Sequence, residues 1–467
     1  MSPQAIIRSL QPWCWRSLPL NNRTASEIFA ALFLDQAIAT LLESPSLIDA
    51  EQPHLARYSI CGGRPRTIGG QPQIWTPTLG SVLPFLRSLL QQPIKDSPQA
   101  DLPFTGGWLG WLGYDLAWEI EQLPQLNPDT LPFPVAYWYE PETFAVLDHR
   151  KQILWLAGGD REQLDDLEQK LTVTTLENKL LERPMAEAIT FLTSQTEYQR
   201  AVQQAKQYIK AGDIFQTNLS LRFQTSTSAT SWSIYQQLQA INPSPFASYW
   251  RSPWGDIISC SPERLVQLEG DQAQTRPIAG TRSRGQNIES DRALAAELLA
   301  NAKERAEHIM LVDLERNDLG RVCQWGSVKV DELLVIERYS HVMHLVSNIQ
   351  GQLQADYDAV DLIRAVFPGG TITGCPKVRC MEIIEELEPS RRSLFYGSCG
   401  YLDHRGNLDL NILIRTLLYV KPADSSLAEV YGQVGAGIVA DSNPEREWSE
   451  SLNKAEAQIA ALRSQIN

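Results

Sequence analysis

Two pairs of glutamates carry the most chemistry in this sequence. Glu447 and Glu450 stand three apart in Asp441-Ser-Asn-Pro-Glu-Arg-Glu-Trp-Ser-Glu-Ser-Leu-Asn-Lys454, with Lys454 four residues further on. A helix opened by the Asp-Ser-Asn cap and Pro444 would put all three on one face. Just before it, Gly435-Ala436-Gly437 reads as a glycine turn whose backbone N–H groups could meet a ligand. Glu304 and Glu307 repeat the spacing in a helical run that begins near Ser290. Mg²⁺ takes one or two carboxylates and completes its shell with waters and substrate oxygens, so two such helices could clamp one ion. The competing reading is two solvated helix faces with an ordinary Glu–Lys pair.

Other segments offer groups of a different kind. Ser261-Pro-Glu263 places a glutamate after a proline; buried near a substrate, it would be a general acid with a raised pKa. Asp213-Ile-Phe-Gln-Thr-Asn-Leu-Ser220 reads as a strand with Gln216 and Asn218 on one face, where pairing with backbone is an equal alternative. Thr275-Arg-Pro-Ile-Ala-Gly-Thr281 is a glycine-containing turn, either a basic surface loop or pocket-lining backbone. His341 and His344 invite a zinc reading, but no third ligand has matching spacing; one of them is expected to be a hydrogen-bonding group in a pocket. The hydroxyls and glycines around Thr371 look superficially like a phosphate cradle without matching its pattern. Arg415, at the end of an apolar strand, needs a partner, and a carboxylate held bidentately is the natural one.

The elements that must position these groups are mixed. A strand end followed by a turn is expected over 40–46, with strands at 57–60, across the glycine- and aromatic-rich 103–115, and through 133–156. A polar helical connector fills 160–190, and 197–211 is helical. Short strands then alternate with long helices, an order that favours α+β. The 467 residues carry a formal charge of −14, which disfavours nucleic acid as a partner. Seven scattered cysteines without Cys-x-x-Cys suggest free thiols in a reducing, cytoplasmic setting. No apolar run is long enough for a membrane span, and no signal peptide is apparent.

Taken in order, these segments resemble the chorismate-utilising enzyme family over essentially the whole chain. The likeness is carried by 104–115, Gln216, Ser261-Pro-Glu263, Pro277-Ile-Ala-Gly-Thr281, Glu304-x-x-Glu307-His308, 310–321, His341-x-x-His344, 368–377, Ile414-Arg-Thr-Leu417 and 435–454. It implies two antiparallel sheets stacked as a sandwich with helices outside. Residues 1–185 would form an N-terminal region with regulatory-pocket-like strands, and 186–467 the chorismate-binding catalytic region, both parts of one large compact domain. The resemblance also implies Mg²⁺ on Glu307 and Glu450, with Glu304 and Glu447 close by. Arg415, Lys454 and the backbone of Gly435, Ala436 and Gly437 would hold chorismate, with Thr371, Ala279 and Gly280 lining the pocket. Glu263 would be the acid, with His344 and Thr281 orienting the substrate.

Isochorismate- and salicylate-forming members carry a lysine base where this chain has Gln216. Glutamine there resembles the members that aminate chorismate with ammonia. Phe104-Thr-Gly-Gly-Trp-Leu-Gly110, Pro368-Gly-Gly-Thr371 and Gly397-Ser-Cys-Gly-Tyr-Leu402 are more similar to the branch that aminates C4, on the route to 4-aminobenzoate and folate, than to the branch that forms anthranilate for tryptophan synthesis. Ala279 departs from this, because C4-aminating members often carry a nucleophilic lysine there. Leu41-Leu-Glu-Ser44 is similar to a tryptophan-regulatory motif, although 242–247 lacks the methionine usual in that pocket. Without a Gly-x-Cys-x-Gly glutaminase signature, ammonia is expected from solution or a separate glutamine amidotransferase subunit. A non-catalytic chorismate-binding protein is the reading from another class; the full set of acid, carboxylates and basic groups argues against it.

Overall fold

Aromatic, β-branched and small residues dominate the buried segments, and they form strands. In the computed structural model, which describes residues 13–44, 57–92, 99, 101–173, 186–338 and 342–463, a twelve-stranded sheet stacks on a ten-stranded one. Their interior is packed with large side chains, among them Trp108, Trp111, Trp138 and Trp250, all essentially inaccessible. A second cluster lies under helices Ala25–Leu32, Gln195–Ala211, Ser231–Ile241 and Pro444–Arg463, on the outer face of the larger sheet. Helix Ala302–Gly320 lies against strands Ile278–Ser283 and Val342–Gln352 of the smaller sheet. The expected α+β sandwich with outer helices is therefore the fold.

The glycine-rich 103–115 forms strand Gly107–Leu112, buried at every position. A Cβ on Gly110 would lie 2.3 Å from Tyr137 O and 2.4 Å from the Trp138 ring, so only glycine lets these strands approach. This strand pairs with Ser398–Asp403, and Ala39–Glu43 pairs with Phe246–Ser252. Residues on either side of 185/186 thus contribute to both sheets. The 160–190 connector contains helix Arg161–Val173 and the short strand Thr190–Phe191; 174–185, together with Pro45, Ser46 and His341, lie outside the described residues. No helix among the described residues is long and apolar enough to cross a membrane, and all seven cysteines are free.

The helical run and the glycine segment differ from the sequence expectation. The helical run from Ser290 is two helices, Ile288–Ala300 and Ala302–Gly320, because Asn301 interrupts it and caps the second. Its side-chain oxygen accepts from Lys303 N and Glu304 N, each at 3.1 Å. Glu304 therefore sits in a first helical turn. Gly435 to Gly437 form no turn: they lie in strand Ala428–Ile438, opposite Ser220 to Asn218 of strand Gln216–Thr227.

The chain crosses between the sheets twice at one corner. Strand Gly255–Ser261 belongs to the larger sheet and Arg264–Glu269 to the smaller; Leu408–Asn411 belongs to the smaller and Thr416–Val420 to the larger. The two crossings are tied together. Ile412 N donates to Glu263 O (3.0 Å), Ser261 Oγ to Ile412 O (2.6 Å), and Cys260 N to Arg415 O (3.2 Å).

Candidate active site

Glu263 and Arg415 are the two charged side chains of those crossings. Glu263 is buried, and its Oε1 is sealed from solvent without a hydrogen-bond partner. Burial pushes its carboxyl up to about 7, offset in part by Thr371 and Arg415. Thr371, in the short turn Gly370–Ile372, has an equally sealed hydroxyl that influences the acid without completing a hydrogen bond. Arg415 is not at a strand end but between strands, at φ +50°. A left-handed arginine costs roughly 1 kcal/mol or more, which the surrounding hydrogen bonds must hold in place. One of its N–H groups donates to Asn242 Oδ1 at 3.0 Å. Burial lowers its pKa, and Glu263 opposes that shift.

The smaller sheet supplies the next wall. Strand Ile278–Ser283 pairs with Val342–Gln352 through a bulge between Ala279 and Thr281. Gly280 sits in that bulge at φ +66°, where a Cβ would lie 2.6 Å from Glu304 Oε2. Thr281 Oγ1 and His344 Nδ1 are 3.0 Å apart, a contact the sequence did not suggest. Burial, with Arg415 adding to it, lowers His344 to about 3. Its imidazole is therefore a neutral hydrogen-bonding group at working pH. His341, the other histidine of that pair, lies outside the described residues; among the described residues no three His, Cys, Asp or Glu side chains, Glu304, Glu307, Glu447 and Glu450 included, converge as a metal cage.

Helices Ala302–Gly320 and Pro444–Arg463 bring Glu307 close enough to Glu450 to feel its charge. Lys303 Nζ reaches Asp441 at 3.5 Å between the two helix starts. Glu307 Oε1 accepts from Gln216 Nε2 at 2.9 Å, and Glu304 Oε1 accepts from Arg282 Nη1 at 2.8 Å. Glu304 Oε2 is sealed and without a partner. Burial raises Glu307, and the nearby Glu450 adds to it; Gln216, Lys454 and Lys303 act the other way. Glu447 is raised by burial and by Glu450 in the same manner. Lys454 Nζ pairs with Glu450 at 2.9 Å and donates to Gly435 O at 3.2 Å. That contact is to the carbonyl of the glycine strand, a partner the sequence did not suggest. Hard oxygen donors near two helix N-termini, mutually repelling and including one sealed carboxylate oxygen, suit a cation such as Mg²⁺ that needs only one or two protein carboxylates.

The glycines of strand Ala428–Ile438 make room for side chains. A Cβ on Gly437 would lie 2.5 Å from Gln216 Nε2 and 3.4 Å from Glu307 Oε1; on Gly435 it would meet Leu219 O at 2.5 Å and Tyr396 Oη at 3.0 Å. Gly437→Ala is therefore expected to push the Gln216 amide off Glu307. Overpacking of this kind costs about 1–3 kcal/mol, so turnover should fall about tenfold, read by steady-state kinetics. Tyr396, at φ +65°, and Asn218, whose Oδ1 is sealed without a partner, border the same strand. The sequence singles out Asn218 as a strand-face amide beside Gln216; only the neighbouring Gly397 marks Tyr396.

A model of the chorismate binding enzyme family matches residues 54–460. An anthranilate synthase component I-like protein of Synechocystis sp. (strain ATCC 27184 / PCC 6803 / Kazusa) is 61% identical over 98% of this chain and 93% of its own length. Aminodeoxychorismate synthase component 1 of Bacillus subtilis (strain 168) is 46% identical over 87% of this chain and 89% of its own. Anthranilate synthase component 1 of the same Synechocystis strain is 42% identical over 86% and 83%. A buried acid and a half-buried arginine at one sheet corner, beside Glu307 and Glu450 of two neighbouring helices, thus occur in a chain that belongs to the chorismate-binding enzymes.

Proposed function

We propose that this chain aminates chorismate with ammonia at C4, as aminodeoxychorismate synthase component I, giving 4-amino-4-deoxychorismate for 4-aminobenzoate synthesis. The observation that carries the amination is Gln216, whose Nε2 is committed to Glu307. The amide then presents its sealed, unpartnered Oε1, which can accept from ammonia but cannot deprotonate water as a lysine would. Arg415 would hold the enolpyruvyl carboxylate through its remaining N–H groups. Glu263 would protonate the departing C4 hydroxyl, with His344 and Thr281 holding the ring in place. Glu307 and Glu450 would hold Mg²⁺, with Glu304 and Glu447 close by. When bound, that ion neutralises the ring carboxylate and favours electron flow toward it.

Three points support C4 over C2: the likeness of 397–402 and 368–371 to C4-aminating enzymes, the B. subtilis relative, and the Synechocystis pair. In that strain a separate chain bears the anthranilate synthase name, at lower identity to this one than the 61% relative. Ala279, buried and without an amine, favours the alternative, anthranilate synthase component I. With alanine there, the only nitrogen nucleophile is ammonia, supplied by a separate glutamine amidotransferase subunit. The test is incubation with chorismate, Mg²⁺ and excess ammonium, with and without aminodeoxychorismate lyase. 4-Aminobenzoate formed only with the lyase is expected; anthranilate formed without it would overturn the choice of C4.

A further inference from the structure

Arginines inside this fold are held in two different ways. Arg264, Arg276 and Arg392 are buried, and each pairs with a carboxylate: Asp409, Glu337 and Glu388. Their charge is neutralised within the protein. Arg415 is held by a carboxamide instead. Its Nη1 donates to Asn242 Oδ1 at 3.0 Å, and among the described residues no carboxylate stands within ion-pair distance of it. Glu263 acts on it from farther away. Asn242 itself is held from several sides. It closes helix Ser231–Ile241, with its own N–H on Leu238 O at 2.8 Å. Its Nδ2 donates to Ser244 Oγ at 3.2 Å and to Cys260 O at 3.3 Å. A carbonyl oxygen only accepts and a guanidinium only donates, so both neighbours select one orientation of the amide, with Oδ1 toward Arg415. Cys260 N donates in turn to Arg415 O at 3.2 Å. The three bonds close a ring through Cys260, Arg415 and Asn242, with main chain at one end and the guanidinium at the other.

We propose that Asn242 aims the Arg415 guanidinium at an anionic substrate without neutralising it. The inference rests on Arg415 holding the enolpyruvyl carboxylate in the proposed reaction. A carboxylate is gripped bidentately only by a planar fork that is already in place. Asn242 fixes one N–H of that fork with a neutral oxygen. The positive charge is then left for the ligand, and less side-chain freedom is lost when the ligand arrives. Aspartate at 242 would have nearly the same shape and could keep the bond to Nη1. It would also be a resident counter-ion with which the substrate carboxylate must compete, and like charges brought together in a closed site repel strongly. The choice of an amide over an acid at this position thus separates holding the arginine from quenching it. Asn242 acts through Arg415 and is a positioning residue.

The test ranks two replacements by calorimetric binding of chorismate, with Mg²⁺ present and ammonia absent. Asn242→Ala releases the guanidinium and should raise Kd about tenfold. Asn242→Asp keeps the size and the acceptor, yet should raise Kd further, about a hundredfold. In steady-state kinetics both should change KM for chorismate more than kcat. In an Arg415→Ala background neither should weaken binding further. A helix cap and nothing more gives the opposite ranking, because aspartate keeps the shape that alanine loses. Asn242→Asp binding as tightly as Asn242→Ala or tighter, or losses that persist without Arg415, would overturn the inference. Should Asn242→Ala not fold, Asn242→Ser takes its place as the neutral replacement and must bind chorismate more tightly than Asn242→Asp. Arg415→Ala alone tells the two ideas apart: unchanged chorismate affinity in that variant would remove Arg415 as the holder of the carboxylate, whatever Asn242 does.

Discussion

Glu263→Gln should lower kcat roughly 10²–10⁴-fold while chorismate still binds. The amide keeps the shape of the carboxyl and the backbone contacts of the crossing, Ile412 N to Glu263 O among them. What it loses is the proton. The direction of the pH dependence follows from burial, which holds the Glu263 carboxyl at about 7. The active form is the protonated one, so kcat falls as pH rises through that value. Stability runs in parallel: a carboxyl whose folded pKa is raised contributes fully below its unfolded value and loses that contribution as pH climbs through the folded one. The variant should accordingly melt no lower than the unsubstituted chain above pH 7. Kinetics and calorimetric binding of chorismate across pH check both halves. Lost binding with unchanged kcat would remove Glu263 as the acid.

Glu307→Gln should abolish Mg²⁺-dependent turnover without harming the fold. An amide at 307 can still offer an oxygen to Gln216 Nε2, so the strand-to-helix contact survives. The negative charge that would attract the ion does not. Burial and Glu450 already press the Glu307 carboxyl toward its neutral form. Removing the charge relieves that cost above the ordinary carboxylate pKa, and the melting temperature should stay level or rise as activity disappears. Titration with Mg²⁺, followed by heat and by chorismate consumption, reads both effects. Near-normal activity would sink the metal assignment.

Much of this site was legible because its residues lie in runs with an unambiguous local meaning. Asn443 caps its helix as its type predicts, accepting from Glu445 N and Arg446 N, and that places Glu447, Glu450 and Lys454. The glycines of 103–115 required close strand contact, and a tyrosine carbonyl and a tryptophan ring occupy the space a Cβ at Gly110 would need. Other features depend on long-range partners that no local pattern encodes. Gly435 and Gly437 have the look of a turn, but their lack of side chains serves Gln216, Leu219 and Tyr396 across a ladder. Arg415 reads as a strand end because the run before it is apolar; the sheet change that strains it appears only once both sheets exist.

The sheet corner has a consequence for how the chemistry can vary. Glu263 and Arg415 hang from two chain crossings laced by three backbone-anchored hydrogen bonds, so in the proposed reaction the departure of oxygen would be governed by main-chain geometry. The nitrogen side is built otherwise. Gln216 and Ala279 lie on strands outside both crossings, Ala279 beside a bulge, and their side chains can change without altering either crossing. One half of the pocket is thus a fixed anvil and the other an interchangeable die. In the proposed reaction, the identity of the incoming nucleophile could then be rewritten by single side chains while the leaving-group side stays where the backbone has put it.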